Sequence, residues 1–387
     1  MKEEDKKENN DKTNESAQGD STPGQQPNPY NEGVPNEQAS AKPESPEAPG
    51  KIEPLEAMVQ PTSSPYSGGD TLDVTPIRKA TDAIKDEISK VVIDQDEVIE
   101  LMITALITGG HCLLEGLPGI AKTLTAKMLA RTIDSDFSRI QFTPDLMPTD
   151  VTGTSVFNVK NSEFYFKEGP IFSNVILIDE INRAPAKTQA ALMEVMEEKQ
   201  LTYDGTTHIM EFPFFVIATQ NPVEQEGTYS LPEAQLDRFI FRIVMEYPNL
   251  NTEKEILYEF QSDFNMRKKD VVKPVVTPQD LKRYSELIEK VFIKKELIDY
   301  IAHIVHNTRN NGDLFLGASP RASLAIMKTA KAKAAIKGRA FVIPDDIQEV
   351  CYPVLNHRII LSHEREMEGT TVKDVVRDIL EKIDVPR

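Results

Sequence analysis

Apolar residues recur at spacings of three and four from Pro76 onward: Ile77, Ala80, Ile84 and Ile88, then Val98, Met102, Ala105 and Leu106. That period predicts two helices with one buried stripe each. After Gly109-Gly110 the pattern changes to short continuous apolar runs at 111–115, 137–142, 175–178, 214–218 and 239–245. Continuous rather than alternating runs fit strands buried on both faces, and helical stretches at 122–132 and 187–199 lie between them. The expectation is an α/β core, a parallel sheet sandwiched by helices, over residues 76–248. Beyond Pro248 helical periodicity dominates, at 252–262, 278–290, 294–309, 320–337, 344–357 and 371–383. Residues 249–387 therefore read as a separate, all-helical lid domain.

Composition adds a third region. Residues 1–75 carry fifteen Asp and Glu against six Lys and no Arg, with ten Pro and two Tyr as the only aromatics. Such a stretch buries too little apolar surface to offset its ordering entropy, so it is expected to be a disordered, acidic, Pro-rich tail. It holds about half of the formal net charge of −18. An acidic balance argues against a general nucleic-acid binder, whose affinity comes from Lys and Arg displacing counterions. No apolar run is long enough to span a membrane, and the N-terminus is charged from Lys2 to Lys12, so a cytoplasmic protein is expected. Cys112 and Cys351 lie far apart in apolar settings, which suits a reducing compartment.

The chemistry begins with Gly116-Leu117-Pro118-Gly119-Ile120-Ala121-Lys122-Thr123, which follows a buried strand and opens a helix. A phosphate loop needs that context. Its glycines let backbone N–H groups point at the phosphates, Lys122 reaches the β and γ phosphates, and Thr123 ligates magnesium. The strict pattern has glycine where this chain has Ala121. About sixty residues on, Val175-Ile-Leu-Ile-Asp179-Glu180 is an apolar strand ending in two carboxylates. Asp179 is placed to hold magnesium through its water shell, and Glu180 to orient and deprotonate an attacking water. Alone, the acids would read as a helix cap. A third strand ends in Thr219-Gln220-Asn221-Pro222, where the amide of Asn221 would meet the γ phosphate or the lytic water. Arg238 precedes the last strand, and Arg321 stands in the first turn of a lid helix. Either arginine, taken alone, reads equally well as a surface ion-pair partner.

Four segments together resemble the MoxR family of AAA+ ATPases: 179–198, Ala218-Thr-Gln-Asn-Pro222, 231–239 and Gly317-Ala-Ser-Pro-Arg321. The resemblance covers residues 80–385. It implies that 116–123 match the Walker A loop, Asp179 and Glu180 the Walker B pair, Asn221 sensor 1, Arg238 the arginine finger and Arg321 sensor 2. The finger would reach a neighbouring subunit's γ phosphate, with Arg183 as a second candidate, while sensor 2 would act from the subunit's own lid. ATP and Mg2+ are the implied cofactors, and a homo-hexameric ring the implied assembly. Relatives usually have glycine where this chain has Asp94, so the adenine contacts are left unassigned. Residues 152–168, with Phe157, Phe164, Tyr165 and Phe166, and residues 199–213, with a turn at Tyr203-Asp-Gly-Thr206, look like the family's two inserted hairpins. Their aromatics suit either a client contact or packing onto their own domain.

The function this implies is ATP-driven remodelling, maturation or assembly of a protein client, with a von Willebrand A domain protein as partner. The alternatives are a motor subunit of a metal-inserting, chelatase-like complex and a nucleic-acid motor. Against the last, residues 200–212 contain no Lys or Arg to meet phosphates. His303 and His306 stand one helical turn apart, but no cysteine or clustered carboxylate beside them completes a metal site, and they read as a packed or surface pair.

Overall fold

The change of apolar period at Gly109-Gly110 marks where helices give way to a sheet. The computed structural model describes residues 72–224, 227–261 and 271–386. The expected tail over 1–75 lies, as far as residue 71, outside them. Helices α1 (Thr75–Ser89) and α2 (Asp96–Ile107) precede β1 (Cys112–Glu115), α3 (Lys122–Arg131) and β2 (Phe137–Gln141). A short α4 (Pro148–Thr152) leads into a hairpin of β3 (Gly153–Asn158) and β4 (Glu163–Glu168). Then come β5 (Val175–Asp179), α5 (Ala186–Glu198), a second hairpin of β6 (Gln200–Tyr203) and β7 (Thr206–Ile209), β8 (Phe215–Gln220), α6 (Glu233–Leu236) and β9 (Phe241–Val244). The C-terminal part holds α7 (Leu250–Phe260), α8 (Pro278–Glu289), α9 (Lys295–Arg309), β10 (Leu314–Leu316), α10 (Pro320–Ile336), α11 (Pro344–Leu355), β11 (Ile360–Leu361), α12 (His363–Met367) and α13 (Val372–Lys382).

Five strands form one parallel sheet in the order β2-β5-β8-β1-β9. Its two faces explain the continuous apolar runs. Along β5 and β8, Val175, Leu177, Phe215 and Ile217 enter one apolar cluster while Ile176, Ile178, Val216 and Ala218 enter another. Successive side chains point to opposite faces, so a strand covered on both sides needs apolar residues at every position. Helices α4 and α5 cover the second face, through Val151, Leu192, Met193 and Met196. Helices α1, α2 and α3 cover the first.

The C-terminal helices differ from the sequence reading in two ways. They contain a two-stranded antiparallel piece, β10 with β11, too short for an apolar period to reveal it. Nor is their core separate: buried residues of α8 to α11 and α13 share one cluster with α1, α2 and the first sheet face. Polar ties reinforce that seam. The ammonium of Lys333 on α10 pairs with Glu100 on α2, and also with Glu349 on α11 at 3.2 Å. Among the described residues, no helix is long and apolar enough to cross a membrane.

Candidate functional site

All five parallel strands end on one edge of the sheet, where a doubly covered sheet gathers its ligands. Strand β1 delivers the glycine loop there. The N–H of Gly116 donates to the Gln220 carbonyl at 3.3 Å, and a Cβ at Gly116 would stand 2.6 Å from the Met245 carbonyl oxygen. Only glycine fits so close to backbone. Ala121 caps α3 at φ 67°, ψ 17°, in the left-handed region. The glycine of the strict pattern therefore serves backbone conformation rather than space, and alanine there costs about 1 to 2 kcal/mol.

Lys122, the first residue of α3, folds back over this loop. Its ammonium donates to the carbonyl of Gly116 and, at 3.1 Å, to that of Gln220. Burial lowers its pKa, opposed by Glu115, Glu180, Glu224 and Asp179. Thr123 Oγ1 donates to Asp179 Oδ1 at 2.8 Å. Asp179 is buried at the tip of β5, where it also accepts from Arg139 Nε at 2.6 Å and from Thr219 Oγ1 at 3.3 Å. Glu180 turns out of the strand in a left-handed conformation, φ 58° and ψ 53°. Its carboxylate meets Gln141 Nε2 at 2.8 Å and Arg183 Nε at 2.9 Å, and Arg183 also pairs with Glu224 at 2.6 Å. Asn221 is buried beside them, its Oδ1 accepting from the Val223 N–H at 3.2 Å. Loop, acids and amide line one cleft of about 460 Å³. Leu117 stands half-buried and Ile120 buried within the loop.

Arg238 and Arg321 are not in that cleft. Arg238 Nε lies 3.5 Å from Glu197, and Arg321 Nη2 donates to the same carboxylate at 2.5 Å. Arg321 also faces Asp237 at 3.9 Å. With Arg358 they line a second cleft of about 220 Å³ that includes Gly109 and Gly110. Those glycines precede β1, whereas the phosphate loop follows it. The two clefts thus sit at opposite ends of a four-residue strand, roughly 13 Å apart along its axis. The expectation that Arg321 serves its own subunit's nucleotide is not met in this geometry. The physical reason lies in the lid: packed on the sheet face with α1 and α2, it brings the start of α10 to the end of α5 instead of to the loop.

A third cavity, about 790 Å³, lies between residues 94–98, the segment 245–249 that follows β9, and Tyr352, Pro353 and Lys373 of the lid. Met245 lines it and also abuts Gly116, so the cavity backs onto the phosphate loop. Asp94 takes a left-handed conformation at φ 56°, which accounts for the glycine usual there. Its carboxylate accepts from Thr252 Oγ1 at 2.5 Å.

The two hairpins pack on each other. Phe166 lies 4.9 Å, centroid to centroid, from both Tyr203 and His208. Phe157 and Phe164 instead face each other at 5.0 Å on the outer side, exposed together with Tyr165. The aromatic cluster is thus divided between packing and display. His306 meets Asn310 at 3.0 Å, and no group of three metal-ligating side chains occurs among the described residues. Burial pushes the thiols of Cys112 and Cys351 up, the latter to about 12.

Sequence reasoning missed Arg139, Gln141, Glu224 and Glu197. The first two did leave a signal, because polar residues at i and i+2 of β2 share the face beside Asp179.

The chain matches the ATPase family associated with various cellular activities (AAA) over residues 111–241 and the AAA lid domain over 306–379. It is 44% identical over 301 residues to YeaC of Bacillus subtilis, covering 78% of this chain and 93% of that one. To chaperone MoxR1 of Mycobacterium tuberculosis it is 41% identical over 310 residues, covering 78% and 81%. A crystal structure of a candidate ATPase from Cytophaga hutchinsonii matches with a TM-score of 0.74 at 44% identity, covering 81% of this chain and 97% of that one. Identity of this order over most of both chains shows that this protein belongs to the MoxR family of AAA+ ATPases and is a nucleotide-binding, ATP-hydrolysing enzyme.

Proposed function

We propose that this ATPase works in the cytoplasm as a homo-hexameric ring that spends ATP on remodelling, maturing or assembling a protein client, with a von Willebrand A domain protein as partner. The observation that carries the reading is the separation of Arg238 and Arg321 from the chain's own phosphate loop. A catalytic site needs cationic charge where negative charge develops on the γ phosphate. This chain holds Arg238 and Arg321 at the far end of β1, paired with Glu197 and away from its own loop, where they would serve a neighbouring copy's phosphate. Both arginines share Glu197, so Arg321 joins Arg238 as a group serving the neighbour.

Within one copy, Lys122 neutralises the β and γ phosphates, and the N-terminus of α3 supplies backbone N–H groups. Glu180 takes the proton from the attacking water, and Asn221 orients that water. The hydroxyl of Thr123 and the carboxylate of Asp179, 2.8 Å apart, fit a hard cation in donor chemistry. A magnesium ion held there would supply charge compensation for the phosphates. The base would occupy the cavity behind the loop, between residues 94–98 and Tyr352. The core over 76–248 and the lid over 249–387 would be the two working parts, coupled through the cluster that α1 and α2 share with the lid, and the exposed Phe157, Phe164 and Tyr165 would offer the client an apolar contact. The chaperone among the relatives supports a protein client.

Mixing variants tests the ring. Arg238→Ala is expected to bind ATP normally and to turn over about 10³-fold more slowly, while Lys122→Ala loses tight binding. In mixed rings an intact loop faces an intact Arg238, and activity returns. If rings confirmed to contain both tagged variants stayed inactive, the assignment of Arg238 to the neighbour's phosphate would fall. A Glu180→Gln ring loaded with ATP should also retain its client and partner on purification. Recovery of no von Willebrand A domain protein would count against that partner.

A further inference from the structure

Strand β9 is the edge of the sheet, bonded to β1 on one side only. An edge strand leaves backbone groups open, and proteins cover them. Here three consecutive side chains just after α11 reach it, Asn356 on the strand itself and His357 and Arg358 on the residues 237–240 that lead into it. Asn356 Nδ2 donates to the Arg242 carbonyl at 2.8 Å. His357 faces the Phe239 carbonyl through Nε2 at 2.9 Å and Asn356 Oδ1 through Nδ1 at 3.0 Å, and burial, with the adjacent Arg358, pushes its pKa well below the usual imidazole value. Arg358 reaches furthest. Its Nη2 donates to the carbonyls of Phe239 at 2.7 Å and Asp237 at 3.1 Å, its Nη1 to that of Ile240 at 3.2 Å, and its Nε to the Asp237 carboxylate at 2.7 Å.

This guanidinium is 3% exposed. A cation so buried adds little stability that well-packed apolar residues could not supply. What it does instead is hold the peptide on both sides of Arg238, through Asp237 before it and Phe239 after it. The other oxygen of Asp237 accepts from Ser319 Oγ at 3.2 Å and faces Arg321 at 3.9 Å. One buried lid residue therefore fixes the backbone that projects Arg238 and the carboxylate beside Arg321.

We propose that Arg358, assisted by Asn356 and His357, is the positioning residue for Arg238 and Arg321, aiming both at the phosphate they serve. The inference rests on the reading that Arg238 acts in turnover. Its test is a double-variant cycle in the full chain, with kcat, KM and ATP affinity measured for Arg238→Ala, Arg358→Lys and the two combined. Lysine keeps the charge and loses the multiple carbonyl contacts, and a misplacement of about 1 Å is worth about 10²-fold in rate. Arg358→Lys should therefore lower kcat by about 10²-fold with ATP affinity unchanged, and the double variant should lose clearly less than the product of the two single losses, because only Arg321 then remains for Arg358 to position. Mixed with Lys122→Ala, Arg358→Lys should recover activity as Arg238→Ala does. Losses that multiply, or ATP affinity falling in step with kcat, would overturn the positioning role and leave the finger assignment standing. Arg238→Ala at the wild-type rate would overturn both. If Arg358→Lys does not fold, Asn356→Ala removes one donor from the same strand and leaves Arg358 paired. The same cycle then applies, with an expected loss of about tenfold.

Discussion

The two ends of β1 carry different kinds of chemistry. At its C-terminal end, a glycine loop, Lys122 and the acids Asp179 and Glu180 gather in one cleft, and each acid is held by a basic or amide side chain of β2 or the following turn. At its N-terminal end, Arg238 and Arg321 share one glutamate, Glu197, at the end of α5. The first end resembles an enzyme site lacking an external cation. The second resembles a cationic group lacking a substrate. On the proposed ring reading, each end completes the other across a subunit boundary, and Glu197 partners the arginines until a phosphate takes its place. The phosphate end is fixed by backbone geometry, whereas the arginine end is fixed by side chains of the lid. Lid movement should therefore be felt most at the arginines.

Glu180→Gln breaks the comparison most sharply. The amide keeps the size and the contact with Gln141 but removes the base, so turnover should fall by about 10² to 10⁴-fold while ATP still binds. Single-turnover hydrolysis together with a nucleotide-binding titration checks this. Loss of binding in equal measure would make Glu180 a structural partner of Arg183, and the phosphate end would lose its base.

The arginine end carries a pH-sensitive fastening of its own. His111, one residue before β1, accepts the Val216 N–H on Nδ1 at 3.1 Å, and its Nε2 faces the Met196 carbonyl, next to Glu197, at 3.3 Å. Burial pushes its pKa down to about 4. Below pH 6.5 the unfolded chain takes up a proton that the native state refuses, so stability falls as pH drops from about 6.5 towards about 4. The shift corresponds to about 3 kcal/mol at most. Denaturant unfolding at intervals from pH 7 to 4 should show this slope. His111→Gln, neutral throughout, should flatten it, and an unchanged slope would show that other groups set the acid limit.

The sheet was legible because its strands are buried on both faces, so the apolar runs and their strand-end motifs survive as continuous text. The phosphate loop and both acids lie at strand ends, where sequence neighbours become spatial neighbours. Arg139, Gln141 and Glu224 reach the same cleft only through strand order, which local patterns do not encode. Glu197 sits near the end of a helix that reads as ordinary amphipathic sequence, and its role emerges only when α10 is seen to begin beside it. The seating of the lid escaped for the same reason. The period of an apolar stripe says that a helix packs, not which partner it packs against, and α1 and α2 proved to share the lid's core.

The mildest change separates shape from conformation at the phosphate end. Ala121 carries a methyl group at φ 67°, and the left-handed region costs an L-residue about 1 to 2 kcal/mol relative to glycine. Ala121→Gly relieves that cost but gives the unfolded chain more freedom, which takes back about 0.4 to 1 kcal/mol. The net expectation is a gain of about 1 kcal/mol or less, and a rise in melting temperature of about 2 °C. ATP affinity should stay close to wild type, because the loop's backbone already has the conformation that glycine would adopt. A calorimetric scan with and without nucleotide checks both parts. If Ala121→Gly lowered stability, the left-handed residue would be held without strain. A weaker ATP affinity at unchanged stability would mean that the methyl group stiffens the loop, and the phosphate end would then depend on side-chain packing much as the arginine end does.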